Sequence, residues 1–251
     1  MSEPTIIYED DAVVVINKPV GMLVHADGHS TEPTVVEWFV EKYPESAGVG
    51  EEASDQQGNP VNRSGVVHRL DRETSGVMIL AKTPEAHTHL KQQFHDRLVK
   101  KEYRAFVYGH VRERRGSIDR QIGRNSQDWR LRSAERGAKG TLRDAFTDWE
   151  LIGLGEDQGE AFSYLKLKPK TGRTHQLRVH MKAIGRPILG DVLYAGAKRE
   201  QSHNLGLDRL ALHAHMLELI LPDGEDRRFI APVPQAFEAA ADRLHDQSEE
   251  Y

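Results

Sequence analysis

Val67-His68-Arg69-Leu70-Asp71-Arg72-Glu73-Thr74-Ser75-Gly76 runs directly into Val77-Met78-Ile79-Leu80-Ala81. The second part is a continuous apolar run of strand length and reads as a buried strand. The first part is polar and turn-rich, which puts Asp71 in a turn at the mouth of that strand. Arg69 and Arg72 flank the carboxylate, and cations in reach favour its ionised form. An Asp held in this way can act as a nucleophile or a base. It can equally be a salt-bridged turn residue, with Thr74 and Ser75 bonding the local backbone.

Upstream, Ile6–Tyr8 and Ala12–Asn17 are short strand-type runs around Glu9-Asp10-Asp11, the pattern of a tight hairpin. Asn17-Lys18-Pro19-Val20-Gly21 ends the second run. Thr34 to Tyr43 has the period of an amphipathic helix, and Ala47 to Asn62 reads as a mobile surface loop. Downstream, Thr83-Pro84 opens a helix that reaches about Arg97. Val99 to Tyr108 returns to strand, with Tyr103, Ala105 and Val107 on one face. Gly116 to Gly140 is basic and irregular, as short strands or an exposed arm. Ala161–Leu167 reads as a strand, and a helix from about Thr174 to Ile184 stops at Gly185. Leu217–Leu221 and Arg228–Ala231 flank a Pro222-Asp223-Gly224-Glu225 turn, and Phe237 to Leu244 makes a last helix. Hairpins and helices in mixed order, without βαβ alternation, predict an α+β fold. At 251 residues the expectation is a single domain over 1–251, whether one unit or two lobes around a cleft.

The chain has no cysteine, which removes disulfides, thiolate nucleophiles and Cys-ligated zinc. Met1 to Tyr8 is too polar for a secretory signal, and no apolar run reaches bilayer length. The expectation is a cytoplasmic protein with no membrane partner. The net charge of −5 is unevenly spread. Arg97 to Arg143 holds 14 Lys/Arg against 5 Asp/Glu, and Lys166 to Arg186 holds 7 Lys/Arg and no acid. A basic face on an acidic chain suits a polyanionic partner.

Two further segments carry chemistry. Lys168-Pro169-Lys170-Thr171-Gly172-Arg173-Thr174-His175-Gln176-Leu177-Arg178-Val179-His180 puts basic side chains and free amides at a helix start. That is a natural phosphate or carboxylate site, or an ordinary solvent-facing basic helix. In Lys100-Lys101-Glu102-Tyr103-Arg104 a tyrosine sits among cations. It can stack on a base while the cations hold phosphates, or lie half-buried in its strand.

His68-Arg69-Leu70-Asp71 with Thr74-Ser75-Gly76, then Lys101-Glu102-Tyr103, then Lys170 to His180, occur in the order seen in the RluA family of pseudouridine synthases, which the chain resembles. Ile7 to Asp11 with Asn17 to His25, and Pro187-Ile188-Leu189-Gly190-Asp191-Val192-Leu193-Tyr194, are similar to that family too. Five segments in order, over about 6–237, decide between the alternatives left open above. The resemblance implies an α+β catalytic domain with a long, mixed, mainly antiparallel central sheet, flanking helices and an active-site cleft. The family's opening strand falls at about Ile6, so a preceding S4-type RNA-binding domain is not expected.

The resemblance also implies an isomerase that converts uridine to pseudouridine in rRNA or tRNA, with the target base flipped out of its stack. Asp71 is then the catalytic carboxylate, as nucleophile or base. Tyr103 lies against the uracil, and Arg178 pairs with Asp71. Arg69 fills the gap left by the base or holds a phosphate. Leu212 lines the uracil pocket, and Lys101 and Arg173 follow the RNA backbone. No cofactor and no metal are expected, and monomer is the default state. The competing reading is an RNA-binding protein with the same fold and no catalysis. A metal enzyme is disfavoured because His87 and His89 fall in a helix, where i, i+2 rings do not share a face. His213 and His215 have no acidic third ligand nearby in sequence. Gly153-Leu154-Gly155 with Gly159 has the wrong spacing for a dinucleotide site.

Overall fold

The computed structural model describes residues 2–28, 30–51, 53–54, 58, 60–128, 131–196 and 203–246. The chain forms two compact units, Met1–Lys100 with Ala214–Pro232, and Lys101–His213 with Val233–Tyr251. In the first, β1 (Thr5–Glu9) and β2 (Val13–Lys18) form the expected hairpin. Asp10 makes the turn, because its Oδ1 accepts from the amides of Ala12 and Val13, both at 2.8 Å. Helix α1 (Val35–Lys42) starts at Thr34 with a reciprocal cap: Thr34 Oγ1 accepts from Glu37 N and the Glu37 carboxylate accepts from Thr34 N.

The stretch 47–62 was expected to be a loop. Its described part contains a minimal hairpin, β3 (Ala53–Ser54) on β4 (Pro60–Val61). Positions 52, 55–57 and 59 lie outside the described residues. Strand β5 (Ser75–Ala81) is buried along its whole length and pairs antiparallel with β2, from Val13 opposite Ala81 to Lys18 opposite Gly76. That accounts for the unbroken apolar run. Helix α2 (Pro84–His95) is capped by Thr83, and Arg97 follows it at φ 62°.

The second unit opens with β6 (Lys100–Tyr108), whose last four residues are all buried, so the expected one-faced alternation covers only part of it. The basic stretch resolves into short strands: β7 (Arg115–Asp119), β8 (Ile122–Arg124), β9 (Arg132–Ser133) and β10 (Lys139–Arg143). The last three form a small sheet of their own in the order β10-β8-β9. Trp129 and Arg130, within this stretch, lie outside the described residues. Strand β11 (Phe146–Asp157), the longest in the chain, pairs with β12 (Glu160–Pro169) and with β7. It is not predicted by the pattern, because a bulge between Leu151 and Gly153 shifts the alternation by one residue. β12 in turn pairs antiparallel with β6. Helix α3 (Gln176–Ala183) starts two residues later than expected, because His175 sits in the left-handed region at φ 55°.

The chain then contributes β13 (Leu212–Ile220) and β14 (Asp226–Ile230), which complete the first unit's sheet in the order β1-β2-β5-β13-β14. Gly76 permits this order. Its φ is +119°, and a Cβ there would strike the backbone of Ala214 in β13. Helix α4 (Gln235–Ala241) and β15 (His245–Asp246), which pairs with β11, complete the second unit. Its core stacks Phe106 on Tyr164 at 4.3 Å between centroids, with Phe237 edge-on to Phe106 at 5.5 Å. The fold class is the expected one, α+β on mainly antiparallel sheet with flanking helices. No helix among the described residues is long and apolar enough to cross a membrane.

Candidate functional site

Asp71 is half-buried in the turn before β5, and its carbonyl accepts from Thr74 N at 3.1 Å. The turn is held largely through its main chain. Lys18, the last residue of β2, is fully buried. Its ammonium donates to the carbonyls of Pro19 (2.8 Å), Met22 (2.7 Å) and Arg72 (3.1 Å). Gly21 N also donates to the Arg72 carbonyl, and Arg72 Nε returns a bond to Gly21 O. On the strand side, His68 Nε2 accepts from Ile79 N at 3.1 Å, and its ring stacks on Phe94 at 4.5 Å. The residue that carries the carboxylate is thereby fixed between β2 and β5.

Neither flanking arginine takes Asp71 as its ion-pair partner. Arg72 pairs with Glu32 at 2.5 Å, and Arg69 Nη1 lies 3.2 Å from His25 Nε2. Adjacent turn positions send their side chains in different directions, so closeness in sequence does not pair them. Thr74, which the non-catalytic alternative has bonding the local backbone, has a buried hydroxyl with no hydrogen-bond partner among the described residues.

The remaining sequence-predicted residues belong to the second unit. Arg178 in α3 is buried and forms a bidentate pair with Asp191: Nε to Oδ2 at 2.8 Å and Nη2 to Oδ1 at 2.7 Å. Charge-assisted pairs of this fork geometry are among the stronger and more directional contacts. Asp191 Oδ1 accepts further from Leu193 N and Tyr194 N, and the guanidinium lies 5.1 Å from the Tyr194 ring centroid. Asp191 is a partner of Arg178 that sequence reasoning did not name. Its one signal in the sequence is a lone carboxylate inside Pro187-Ile188-Leu189-Gly190-Asp191-Val192-Leu193.

The turn before α3 is built around Gln176. Its side-chain oxygen accepts from the Thr171 hydroxyl at 2.7 Å and from Arg173 N at 3.0 Å. Its amide nitrogen donates to Phe146 O at 3.0 Å and Thr147 Oγ1 at 3.1 Å. All four positions of the amide are thus used. Thr147 also bonds His180 Nδ1, while His180 Nε2 donates to Arg120 O, each at 3.0 Å. Both ring nitrogens of His180 are thus occupied, and burial keeps its pKa below the usual histidine value. An unfolded histidine binds its proton nearer pH 6.5. The unfolded chain thus takes up this proton first as pH falls, and stability present above 6.5 is lost below it. We expect wild-type thermal stability to drop between about pH 7.5 and 5.5, and His180→Gln to show a smaller drop over that range. Equal drops in the two proteins would remove His180 as a source of the acid sensitivity.

Tyr103 is half-buried in β6 opposite Leu167. Burial pushes the Lys101 ammonium down to about 8, and its Nζ lies 3.5 Å from Thr171 O. The Lys-Glu-Tyr segment and the segment leading into α3 thus meet at Lys101. Leu212 is buried at the start of β13. Arg173 donates from Nε to Asp144 O, and its side chain lines a cavity with Arg124, Arg132 and Arg143. Sequence reasoning assigned no role to Lys18, Gln176, Thr147 or Asp191, all of which act through other residues. The paired histidines take structural contacts: His89 reaches Ile220 O at 2.9 Å and His215 reaches Ala231 O at 3.0 Å. Among the described residues, no group of three or more His, Cys, Asp or Glu is placed to hold a metal ion.

A family model described as RNA pseudouridylate synthase matches residues 12–183. A Synechocystis protein named as an uncharacterized RNA pseudouridine synthase is 39% identical over 234 residues, covering 93% of this chain and 66% of the relative. Ribosomal large subunit pseudouridine synthase D of Vibrio parahaemolyticus is 35% identical over 255 residues, covering 98% of this chain and 72% of the relative. The solved structure of human RNA Pseudouridylate Synthase Domain Containing 1 superimposes with a TM-score of 0.76 at 26% identity. It covers 99% of this chain and 91% of that one.

Proposed function

Because the chain belongs to the RNA pseudouridylate synthase family, whose enzymes isomerise uridine to pseudouridine in RNA, we propose that it does so with Asp71 as the catalytic carboxylate. The observation that carries this reading is the Asp71 turn, where a buried lysine and an imidazole anchor the residue through main-chain atoms. That construction fixes the residue's backbone on either side, as a reacting group requires. The substrate is a uridine in rRNA or tRNA. A relative named for the ribosomal large subunit favours rRNA.

The N1–C1′ bond breaks, the uracil turns within the pocket, and C5 bonds to C1′. The C5 proton is lost and N1 gains one, so atoms and charge balance with no redox step. Asp71 either attacks C1′ or removes a proton from the sugar to give a glycal-like intermediate. The target base leaves its stack to be reached. In this reading Tyr103 lies against the uracil and assists loss of the C5 proton, and Leu212 supplies an apolar wall. Arg178, oriented by its bidentate pair with Asp191, serves in this reading to keep Asp71 ionised. Arg69, exposed beside Asp71, fills the space vacated by the base or holds a phosphate. Arg173 and Lys101 hold the RNA backbone, with Lys101 the weaker of the two as pH rises past about 8. The domain works in the cytoplasm as a single catalytic domain and as a monomer.

Release of tritium from rRNA and tRNA transcripts labelled at C5 of uridine tests the reaction directly, since the new bond replaces the C5–H bond. The expected result is release from a small number of uridines in one transcript. RNA binding with no release from any transcript would favour the binding-only reading.

A further inference from the structure

The small β10-β8-β9 sheet of the second unit concentrates positive charge in a way its own stability does not call for. Arg124 in β8 stands directly opposite Arg132 in β9 on one side and Lys139 in β10 on the other. Like charges facing each other across paired strands are destabilising. Arg143 at the end of β10 and Arg173 before α3 bring further cations to the same place. Together these four arginines line a cavity of about 480 Å³. Among the described residues, none of the four has a carboxylate within ion-pair distance, whereas Arg72, Arg178, Arg227 and Arg228 all do.

The rest of the wall narrows the occupant. Gly123, Gly140, Gly172, Thr141 and Thr174 offer backbone and hydroxyl groups, and Ile122 is the one aliphatic member. Pockets for small organic ligands are mostly apolar, which this one is not. The described lining residues include no aromatic ring on which a base would stack. Gly123 keeps the strands close, since a Cβ there would meet Leu142 and the Lys139 carbonyl. Gly140, at φ +73° with open space over it, leaves its main chain bare toward the cavity.

We propose that the cavity lined by Arg124, Arg132, Arg143 and Arg173 binds phosphate groups of the RNA strand and reads no bases. The inference rests on RNA being the substrate. Phosphates entering the cavity would relieve the repulsion that the empty sheet carries. The contribution to binding is electrostatic and independent of sequence.

The test measures affinity for two transcripts of unrelated sequence over a range of salt, using wild type, Arg124→Ala, Arg143→Ala, Arg124→Lys and the control Arg227→Ala. Each removed contact is expected to lower the slope of log affinity against log salt by about 1. Arg124→Ala and Arg143→Ala should show this equally on both transcripts. Arg124→Lys should keep the wild-type slope, and Arg227→Ala should be unchanged. Melting of Arg124→Ala is expected at or above the wild-type temperature, which separates lost binding from lost folding. A wild-type slope for both alanine variants, or a loss confined to one transcript, would overturn the proposal. So would a slope for Arg124→Lys as low as that for Arg124→Ala. Tritium release by wild type is scored separately. Release with unaltered slopes removes this site and leaves the reaction, while lowered slopes without release remove the reaction and leave the site.

Discussion

Asp71→Asn is expected to slow pseudouridine formation on the order of 10⁴-fold or more, the scale of losing an acid–base or nucleophilic group. RNA affinity should stay essentially at the wild-type level. The substitution is close to isosteric, and several of the bonds that hold the turn run through main-chain atoms. Lys18 donates to main-chain carbonyls, Thr74 N bonds the Asp71 carbonyl, and His68 bonds Ile79 N. The variant should therefore melt close to wild type, so that the lost rate reports chemistry. Comparable activity in Asp71→Asn would remove Asp71 from its role whatever else the protein does.

The largest effect on stability should come from Asp191→Ala. The Arg178 side chain is 6% exposed and that of Asp191 is fully buried. Removing the carboxylate takes a bidentate partner from a guanidinium in a place water hardly reaches. Breaking a buried pair from one side typically costs about 3–5 kcal/mol. Here the amides of Leu193 and Tyr194 also lose their acceptor. For a chain of this size that corresponds to a fall in melting temperature on the order of 10 °C. Asp191→Asn, which keeps an oxygen for those amides, should fall by less. The same melts performed on both variants check the order. A shift under about 2 °C for Asp191→Ala would mean that Arg178 is not held by this pair.

Much of the architecture was legible because hydrophobic period and turn chemistry agree locally. The β1–β2 hairpin, β5, α2 and the β13–β14 turn all follow from alternation, caps and Pro/Gly positions. β11 was not legible, because the bulge at Leu151/Gly153 breaks the alternation on which such a reading depends. The start of α3 was placed two residues early, because nothing in Thr174-His175 announces a left-handed residue. The two-residue hairpin within 47–62 is too short to leave a periodic signal.

At the site, the candidate residues were named from motif order, and the residues that hold them in place were not. Lys18 looks like an ordinary lysine closing a strand, yet it is buried against three carbonyls. Asp191 and Gln176 act over sequence distances of 13 and 29–30 residues, which only the folded chain brings together. Arg69 and Arg72 show the converse. Both flank Asp71 in sequence, and each has a described contact elsewhere.

The central claim is that this chain makes pseudouridine and that Asp71 does the chemistry. Pseudouridine mapping by carbodiimide treatment and reverse-transcription stops, on total RNA from cells with and without the gene, tests both parts. The deleted cells should be complemented in parallel with wild type and with Asp71→Asn. The account predicts a stop in rRNA or tRNA that disappears on deletion, returns with wild type and stays absent with Asp71→Asn. The same stops in all four strains, or a stop restored by Asp71→Asn, would contradict it.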